Sequence, residues 1–454
     1  MIYIGGVIFV LYMIFKLLYI IFPMKNKRLP EVIGPVTLYK SFAVLVPSYN
    51  EESVILNCVN SLKALQYPNY RVYIIDDGST DGTFDILKDN LALIPARLRQ
   101  DTRLESSRII SVKRSRLHPN IYVIRKENGG KADALNAGIA CCAEEIVVTL
   151  DADCMLKEDA LGIMNEAFQN ERVVAAGGAV HITQSIDSRD TDRIVFRLKN
   201  LIRYQVIQYL IAFYLHKFTQ SRLKSLIVVS GAYGAFKRSL LIKLNGYRKT
   251  VGEDMDITLK IQQYIKMYNK RYLISFVPQS ICYTECPESF KSLMKQRIRW
   301  QKAFIDCVLK YGPKMFRSFK LSLSIFFIFD YLILGTVTSF LFFLLPMFLL
   351  LGEKISMIFF IILSVDLLLG VAECLVSKRM AARYNHCFSG MDSLRVGLFV
   401  PFKILFCKLL NLIFVIAGTF AYFISRERWN KAERLGRCFS GTAEVAFSGE
   451  SRAK

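Results

Sequence analysis

Ile146-Val147-Val148-Thr149-Leu150-Asp151-Ala152-Asp153-Cys154 is the stretch from which the rest of the chain can be read. A short apolar run, the length of a buried strand, stops at two carboxylates one residue apart. Carboxylates are costly to bury unless a cation meets them, and ligands of open α/β sheets sit at the carboxyl ends of the strands. In an extended backbone the side chains of Asp151 and Asp153 point the same way. The pair is therefore suited to one divalent cation, with Asp153 better placed for direct ligation and Asp151 for a polar group of a substrate. Asp-x-Asp also occurs in ordinary turns, so the reading depends on what neighbouring segments bring to the same edge.

Earlier segments repeat the pattern. Phe42 to Pro47 reads as a strand closed by proline, and Ser48-Tyr49-Asn50-Glu51-Glu52 supplies caps and first-turn acids for a helix to about Leu65. The strand Arg71 to Ile75 stops at Asp76-Asp77-Gly78-Ser79-Thr80-Asp81, a turn-rich sequence. Ile121 to Ile124 runs into Lys126-Glu127-Asn128-Gly129-Gly130-Lys131, where paired glycines permit an anionic ligand to approach backbone N–H groups and Lys131 adds positive charge. Four βα elements between Phe42 and Asp153 predict an α/β domain with a largely parallel sheet and polar clusters along one edge. The rhythm fails from Leu91 to Pro119, where seven basic residues fall between Arg97 and Arg116; a solvated or membrane-skimming loop is expected.

Beyond Ala179 the pattern is irregular, then helical from about Ile194 to His216, with Arg197, Lys199 and Arg203 favouring a position along the membrane interface. In Ile227 to Phe236 the glycines permit close packing or a turn beside a substrate. Gly252-Glu253-Asp254-Met255-Asp256 opens a helix with acids, for which capping is the ordinary explanation at Glu253 and Asp256. In Gln296-Arg297-Ile298-Arg299-Trp300, helical spacing puts Gln296, Arg299 and Trp300 on one face. That face offers a guanidinium fork for phosphate and a flat indole for a sugar ring, or else an interfacial anchor.

The net charge of +22 over 454 residues lies largely beside apolar segments and in the Arg97 to Arg116 stretch, without aromatic-and-basic interleaving. It argues for anionic lipid headgroups and against nucleic acid. The eleven Cys show no paired metal spacing and only four His are present, so a zinc site or disulfide framework is not expected and free thiols fit a cytoplasmic body. Ile2 to Phe22, broken by Lys16 and followed by Lys25, Lys27 and Arg28, reads as an uncleaved transmembrane helix with its carboxyl end in the cytoplasm. Ile325 to Leu351, Ile355 to Val376 and Val396 to Ile424 are also long enough to span. Of their charges, Glu373, Lys403 and Lys408 suit snorkelling at the interface, whereas Asp366 sits near mid-helix. The expected organisation is a transmembrane helix (1–24), an α/β domain (40–304), an interfacial connector (305–324), carboxyl-terminal membrane helices (325–424) and a polar tail (425–454). A re-entrant or interfacial turn around Gly397 to Leu410 keeps Arg426, Arg428, Lys431, Arg434 and Arg437 cytoplasmic.

Taken together and in order, Val46-Pro47-Ser48-Tyr49-Asn50-Glu51, Asp76 to Asp81, Gly129-Gly130-Lys131-Ala132, Asp151-Ala152-Asp153, Ser230-Gly231-Ala232, Glu253-Asp254 and Gln296 to Trp300 resemble the membrane-bound family 2 glycosyltransferases. Within that family the wording is most like the processive β-glycan synthases: bacterial poly-N-acetylglucosamine, hyaluronan, chitin and cellulose synthases. The resemblance implies a GT-A type nucleotide-sugar transferase domain flanked by transmembrane helices in the cell membrane, with the catalytic domain cytoplasmic. It implies a UDP-sugar donor, a polysaccharide acceptor, and Mg²⁺ or Mn²⁺ held by Asp153, with Asp151 approaching the nucleotide. Asn50 and Glu51 would border the nucleotide pocket, Asp77 would contact the uracil with Asp76 beside it, and Lys131 would lie near the nucleotide. Asp254 would be the catalytic base, and Gln296, Arg299 and Trp300 would bracket the diphosphate and the acceptor sugar. Ala303 stands where many relatives have glycine. The implied reaction is inverting transfer of N-acetylglucosamine, or of another sugar, to a growing β-linked chain with coupled export. So small a bundle would need a small membrane subunit or a second copy to enclose a polar glycan. Transfer of a single sugar to a lipid carrier is the enzymatic alternative, and a non-catalytic binding protein leaves Asp254 unexplained.

Overall fold

Phe42, Val44 and Val46 alternate with Ala43 and Leu45, as do Val72 and Ile74 with Tyr73 and Ile75, and every one of these side chains is buried. The two sets belong to different apolar clusters, so the sheet that carries them is covered on both faces. The computed structural model describes residues 2–25, 38–343 and 353–424.

In chain order, α1 (Ile2–Lys25) precedes β1 (Phe42–Ser48), α2 (Ile55–Lys63), β2 (Tyr70–Asp76), α3 (Thr83–Leu91), β3 (Leu93–Pro95), β4 (Ile109–Ser115), β5 (Ile121–Lys126), α4 (Lys131–Cys141), β6 (Ile146–Leu150), β7 (Cys154–Leu156) and α5 (Ala160–Phe168). Then come β8 (Val173–Ile182), β9 (Ile186–Asp187), β10 (Asp190–Ile194), α6 (Asn200–Ile211), a π-helical stretch (Ala212–Lys217), α7 (Phe218–Arg222), β11 (Tyr233–Lys237), α8 (Arg238–Lys243), α9 (Glu253–Met267), β12 (Leu273–Thr284) and α10 (Phe290–Tyr311). The remainder is helical, with α11 (Met315–Ser318), α12 (Leu321–Ile325), a second π-helical stretch (Phe326–Val337), α13 (Thr338–Phe343), α14 (Glu353–Ala382) and α15 (Gly390–Ile424), interrupted by β13 (Cys387–Phe388).

The four βα strands β5, β2, β1 and β6 are mutually parallel as expected. The rest of the sheet is not: β11 runs antiparallel to both β6 and β8, and β7 antiparallel to β12, giving a mixed ten-stranded sheet in the order β3-β4-β5-β2-β1-β6-β11-β8-β12-β7. The wholly buried β8 and the long β12 escaped the sequence reading because Val173 to Ile182 is apolar without alternation. Gly177 and Gly178 in β8 leave room for neighbours, with the Tyr233 ring lying directly over Gly178.

Two expectations are corrected. The basic stretch Arg97 to Arg116 is not simply a loop: β3 and β4 extend the sheet beyond β5, and the ammonium of Lys113 sits 5.2 Å from the Phe84 ring centroid. The edge strand β3 is only three residues long and ends in Pro95, which limits pairing of that edge with other chains. The helix expected from Ile194 begins at Asn200, and it does not lie free at an interface. The rod from α6 to α7 buries Tyr204, Gln205, Tyr214 and Phe218 between the sheet and α14.

Among the described residues two segments, Gly6–Lys25 and Leu321–Phe340, are apolar and long enough to cross a membrane, and Gly390–Ile404 with Leu409–Ile424 forms a pair bent by 51°. The two apolar helices pack against one another instead of standing on opposite flanks of the α/β core. Glu373 does not snorkel: it takes Lys16 of α1 at 2.5 Å, while Tyr12 donates to Asp366 and Tyr19 to Asp330. The span expected to end at Leu351 runs into residues outside those described, where Arg426, Arg428, Lys431, Arg434 and Arg437 also lie.

Replacing Gly178 by alanine is expected to destabilise the protein by about 1–3 kcal/mol through overpacking, because a Cβ there would lie 2.2 Å from the Tyr233 ring and 2.5 Å from the Ser280 carbonyl oxygen. Gly162 on α5 has nothing within 4 Å of such a Cβ, so its alanine variant is expected to be neutral or to gain about 0.5–1 kcal/mol. Thermal unfolding of the detergent-solubilised chain measures both; matching midpoints for the two variants would contradict the packing argument.

Candidate active site

β2 and β5 end side by side, and their last residues build one wall. Lys126 is completely buried, its ammonium 2.5 Å from Asp77 Oδ1 and 2.5 Å from Asp133 Oδ1. The Gly129 and Gly130 N–H groups donate to the two oxygens of Asp77 at 3.1 and 2.7 Å. Burial raises the Asp77 carboxyl above its ordinary value, and Lys126 with the two glycine amides restrains the rise. Gly130 has φ +90°, which a side chain would strain. Asp76, also fully buried, accepts from the Ser79 amide at 3.0 Å and lies 3.4 Å from Arg125 Nε.

The turn after β1 adjoins this wall. Asn50 adopts φ +53° and its side-chain oxygen accepts from the Thr80 amide at 2.8 Å, while the Glu51 amide donates to Thr83 Oγ1 at 2.7 Å. Asn50 and Glu51 are thereby stitched to the turn that begins with Asp76 and Asp77.

At the centre stands Lys131, the first residue of α4. Its ammonium lies 2.6 Å from Asp151 Oδ1 and 2.8 Å from Glu253 Oε1. Burial opposes its charge, but Asp151, Glu253 and Asp254 outweigh that and hold its pKa well above the ordinary lysine value. Burial likewise raises Asp151, with Lys131 and then Arg299 pulling it back. Asp254 accepts from the Gly231 amide at 3.0 Å and from the Met255 amide at 2.8 Å. A Cβ on Gly231 would lie 3.1 Å from Lys131 Nζ and 3.2 Å from Asp254 Oδ2, so glycine there lets base-like carboxylate and ammonium share one small pocket with Thr149 and Tyr247. Burial brings Lys217, from the π-helical stretch, down to about 8, opposed by Asp254.

Ligand atoms of Asp151, Asp153 and Cys154 all lie within 4.8 Å of one another. The Cys154 thiol is 3.3 Å from Asp153 Oδ1, and burial raises its pKa. The two carboxylates supply hard oxygen donors of the kind that fit Mg²⁺ or Mn²⁺.

α10 differs in detail from expectation. Gln296 is buried and Arg299 acts electrostatically on Asp151, but Arg297, not Arg299, lies over the Trp300 indole, 4.1 Å from its centroid, tethered by Gln208 at 2.7 Å. One ring face is therefore covered by the protein itself. Glu253 and Asp256 are also more than caps: Glu253 pairs with Lys131, and Asp256 is fully buried among Arg248, Lys310 and Tyr311. Lys126 was not singled out from the sequence, although a lysine ending a strand just before Gly129-Gly130 is the same kind of signal as Asp151 ending β6.

Against known proteins, residues 43–244 match the family model "Glycosyl transferase family 2", and residues 146–368 match "Glycosyl transferase family group 2". A poly-β-1,6-N-acetyl-D-glucosamine synthase of Staphylococcus epidermidis is 28% identical over 288 residues, 63% of this chain and 60% of the relative. The synthase of that name from Staphylococcus aureus is 28% identical over 266 residues, 59% and 55% of the two chains. The alignments thus span little more than half the length of these relatives. A mannosyltransferase from Pyrobaculum calidifontis, solved with GDP-mannose and Mn²⁺, superposes with a TM-score of 0.55 at 18% identity over 90% of this chain and 94% of that one, and so shares the fold. The matched segments thus resemble the domains of family 2 glycosyltransferases, and the mixed α/β core has a GT-A-like fold.

Proposed function

We propose that the chain is an inverting, processive synthase that transfers N-acetylglucosamine from a UDP-sugar to the growing end of a β-linked polysaccharide and passes the product across the membrane. The observation that carries this reading is Asp254, oriented by the Gly231 and Met255 amides beside the Lys131–Asp151–Glu253 cluster. One carboxylate aimed into a pocket next to a cation-ready pair suits a single displacement. The acceptor hydroxyl oxygen forms its bond to the anomeric carbon, the bond from that carbon to the diphosphate oxygen breaks, UDP departs with the electron pair, and the hydroxyl proton passes to Asp254. With no carboxylate nucleophile intervening, an α-linked donor becomes a β-linked product. A divalent cation held by Asp153, with Asp151, would neutralise charge on the diphosphate.

The chain's own groups divide the remaining work. Arg299 adds positive charge on the phosphate side, the free face of Trp300 stacks on the acceptor sugar, and Lys131 opposes the rise that burial imposes on the Asp151 and Glu253 carboxyls. The walls made by Asn50 and Glu51 and by Asp76 and Asp77 receive the nucleoside. N-acetylglucosamine is favoured by the named activity of the staphylococcal relatives.

For the membrane part, the reading is a multi-pass protein of the cell membrane, with residues 1–24 and 325–424 in or at the bilayer and 40–304 cytoplasmic. β13, just before α15, pairs with β10, and Tyr422 near the end of α15 bonds Asp306 of α10, which supports entry and exit on one side and a re-entrant turn between. A small membrane subunit or a second copy completes the glycan path.

Asp254→Asn is expected to retain UDP-sugar binding and lose about 10²- to 10⁴-fold in transfer; a loss under about threefold would point to another base. Asp153→Asn is expected to abolish the response of activity to added Mg²⁺ or Mn²⁺ while the melting temperature stays near wild type, and undiminished turnover at limiting metal would remove it as ligand. Membranes supplied with each UDP-sugar separately, followed by linkage-specific digestion, test the sugar; a single-sugar lipid in place of long polymer would overturn processivity.

A further inference from the structure

Asp256 lies two residues beyond the proposed base, fully buried, in a network that no step of the transfer uses. Its Oδ1 accepts from Arg248 Nε at 2.9 Å, from Lys310 Nζ at 2.8 Å and from the Tyr311 hydroxyl at 3.1 Å. The other arm of Arg248 donates to Asp306 Oδ2, which also accepts from the Thr250 hydroxyl at 2.9 Å. Asp306 Oδ1 in turn accepts from the Tyr422 hydroxyl at 3.2 Å. The charges balance, Asp256 and Asp306 against Arg248 and Lys310, as a buried ionic cluster requires. Its members come from the approach to α9, the first turn of α9, the last turns of α10 and the end of α15.

Steric contacts tighten the same joint. A Cβ on Gly252 would come within 2.4 Å of Ala303 Cβ, and one on Gly418 within 2.5 Å of Gln301 Cβ. Gln301 Nε2 also donates to Thr419 Oγ1 at 3.2 Å. α9, α10 and α15 therefore meet with little freedom to slide.

We propose that Arg248, Asp256, Asp306 and Tyr422 form a positioning network that sets the register of Asp254 against the acceptor side of α10, and that α15 acts on that register through Tyr422. The inference rests on the reading of Asp254 as base. Asp254 stands in the first turn of α9 with one oxygen on the Met255 amide and the other on the Gly231 amide before β11, so a shift of that turn moves the carboxylate against a fixed loop. That turn is tied to α10, the helix that carries Arg299 and Trp300, by Asp256 and Gly252. Proton transfer needs hydrogen-bond reach to the acceptor hydroxyl, so a shift of this joint costs turnover before it costs donor binding.

The test compares Arg248→Met, Asp306→Asn and Tyr422→Phe in the full chain in lipid, reading kcat and the KM for the UDP-sugar, with Asp254→Asn in parallel. Arg248→Met is expected to lower kcat by about 100-fold and Tyr422→Phe by about tenfold, each with KM for the donor within twofold of wild type. If Arg248→Met does not fold, the same kcat-only loss in Tyr422→Phe and Asp306→Asn carries the proposal. Wild-type kcat in the folded variants, or a rise in donor KM matching the fall in kcat, overturns it. Should Asp254→Asn still transfer sugar, the base assignment fails and this proposal with it; should Asp254→Asn be inactive while the network variants turn over normally, the network alone is refuted.

Discussion

The ammonium of Lys131 touches Asp151 and Glu253 at once, and through them it joins the amino end of α4, the carboxyl end of β6 and the first turn of α9. These elements belong to the two halves of the sheet, the parallel part and the mixed part. Without that cation, Asp151, Glu253 and Asp254 would crowd a desolvated corner with like charge, at a cost that grows as the local dielectric falls. With it, the corner still carries more carboxylates than cations, the electrostatic setting that favours a divalent cation. The glycine at 231 follows from the same constraint, because any side chain there would push into the ion pair.

A second buried lysine does comparable work one strand away. Lys126 neutralises Asp77 and Asp133, and Asp77 uses its oxygens to fix the Gly129 and Gly130 amides. The glycine turn before α4 is thus braced by charge, and the two amides expected to face an anionic ligand are taken by Asp77 instead. Lys131 begins its helix from this braced turn, so both lysines act on one loop from opposite sides.

The helical region is attached to this core by polar bonds as well as apolar packing. Lys16 on α1 pairs with Glu373 on α14, Tyr19 bonds Asp330, and α15 runs along α10 with Phe414 near Phe290, Thr419 bonded to Gln301 and Tyr422 to Asp306. In an apolar surrounding such bonds fix helix register where hydrophobic burial does not discriminate. Apolar helices and catalytic core consequently form a continuous contact network and not two bodies on a linker.

The amino-acid sequence by itself determined the features that are local. Periodicity and turn chemistry marked β1, β2, β5 and β6, acids and glycines marked the strand ends, and uninterrupted apolar length marked α1 and an apolar segment from Ile325, where the structure has Leu321–Phe340. Only the tertiary structure decided which charges meet. Nothing near Lys126 announces Asp77, nothing near Glu253 announces Lys131, and Asp256 reads as a cap until Arg248 and Lys310 close around it. The same holds for Arg297 taking the Trp300 face and for the basic stretch becoming the sheet's outer strands. The reason is physical: helix and strand signals come from neighbours in the chain, whereas an ion pair depends on separations of a few ångströms between residues that only the completed sheet and helices bring together.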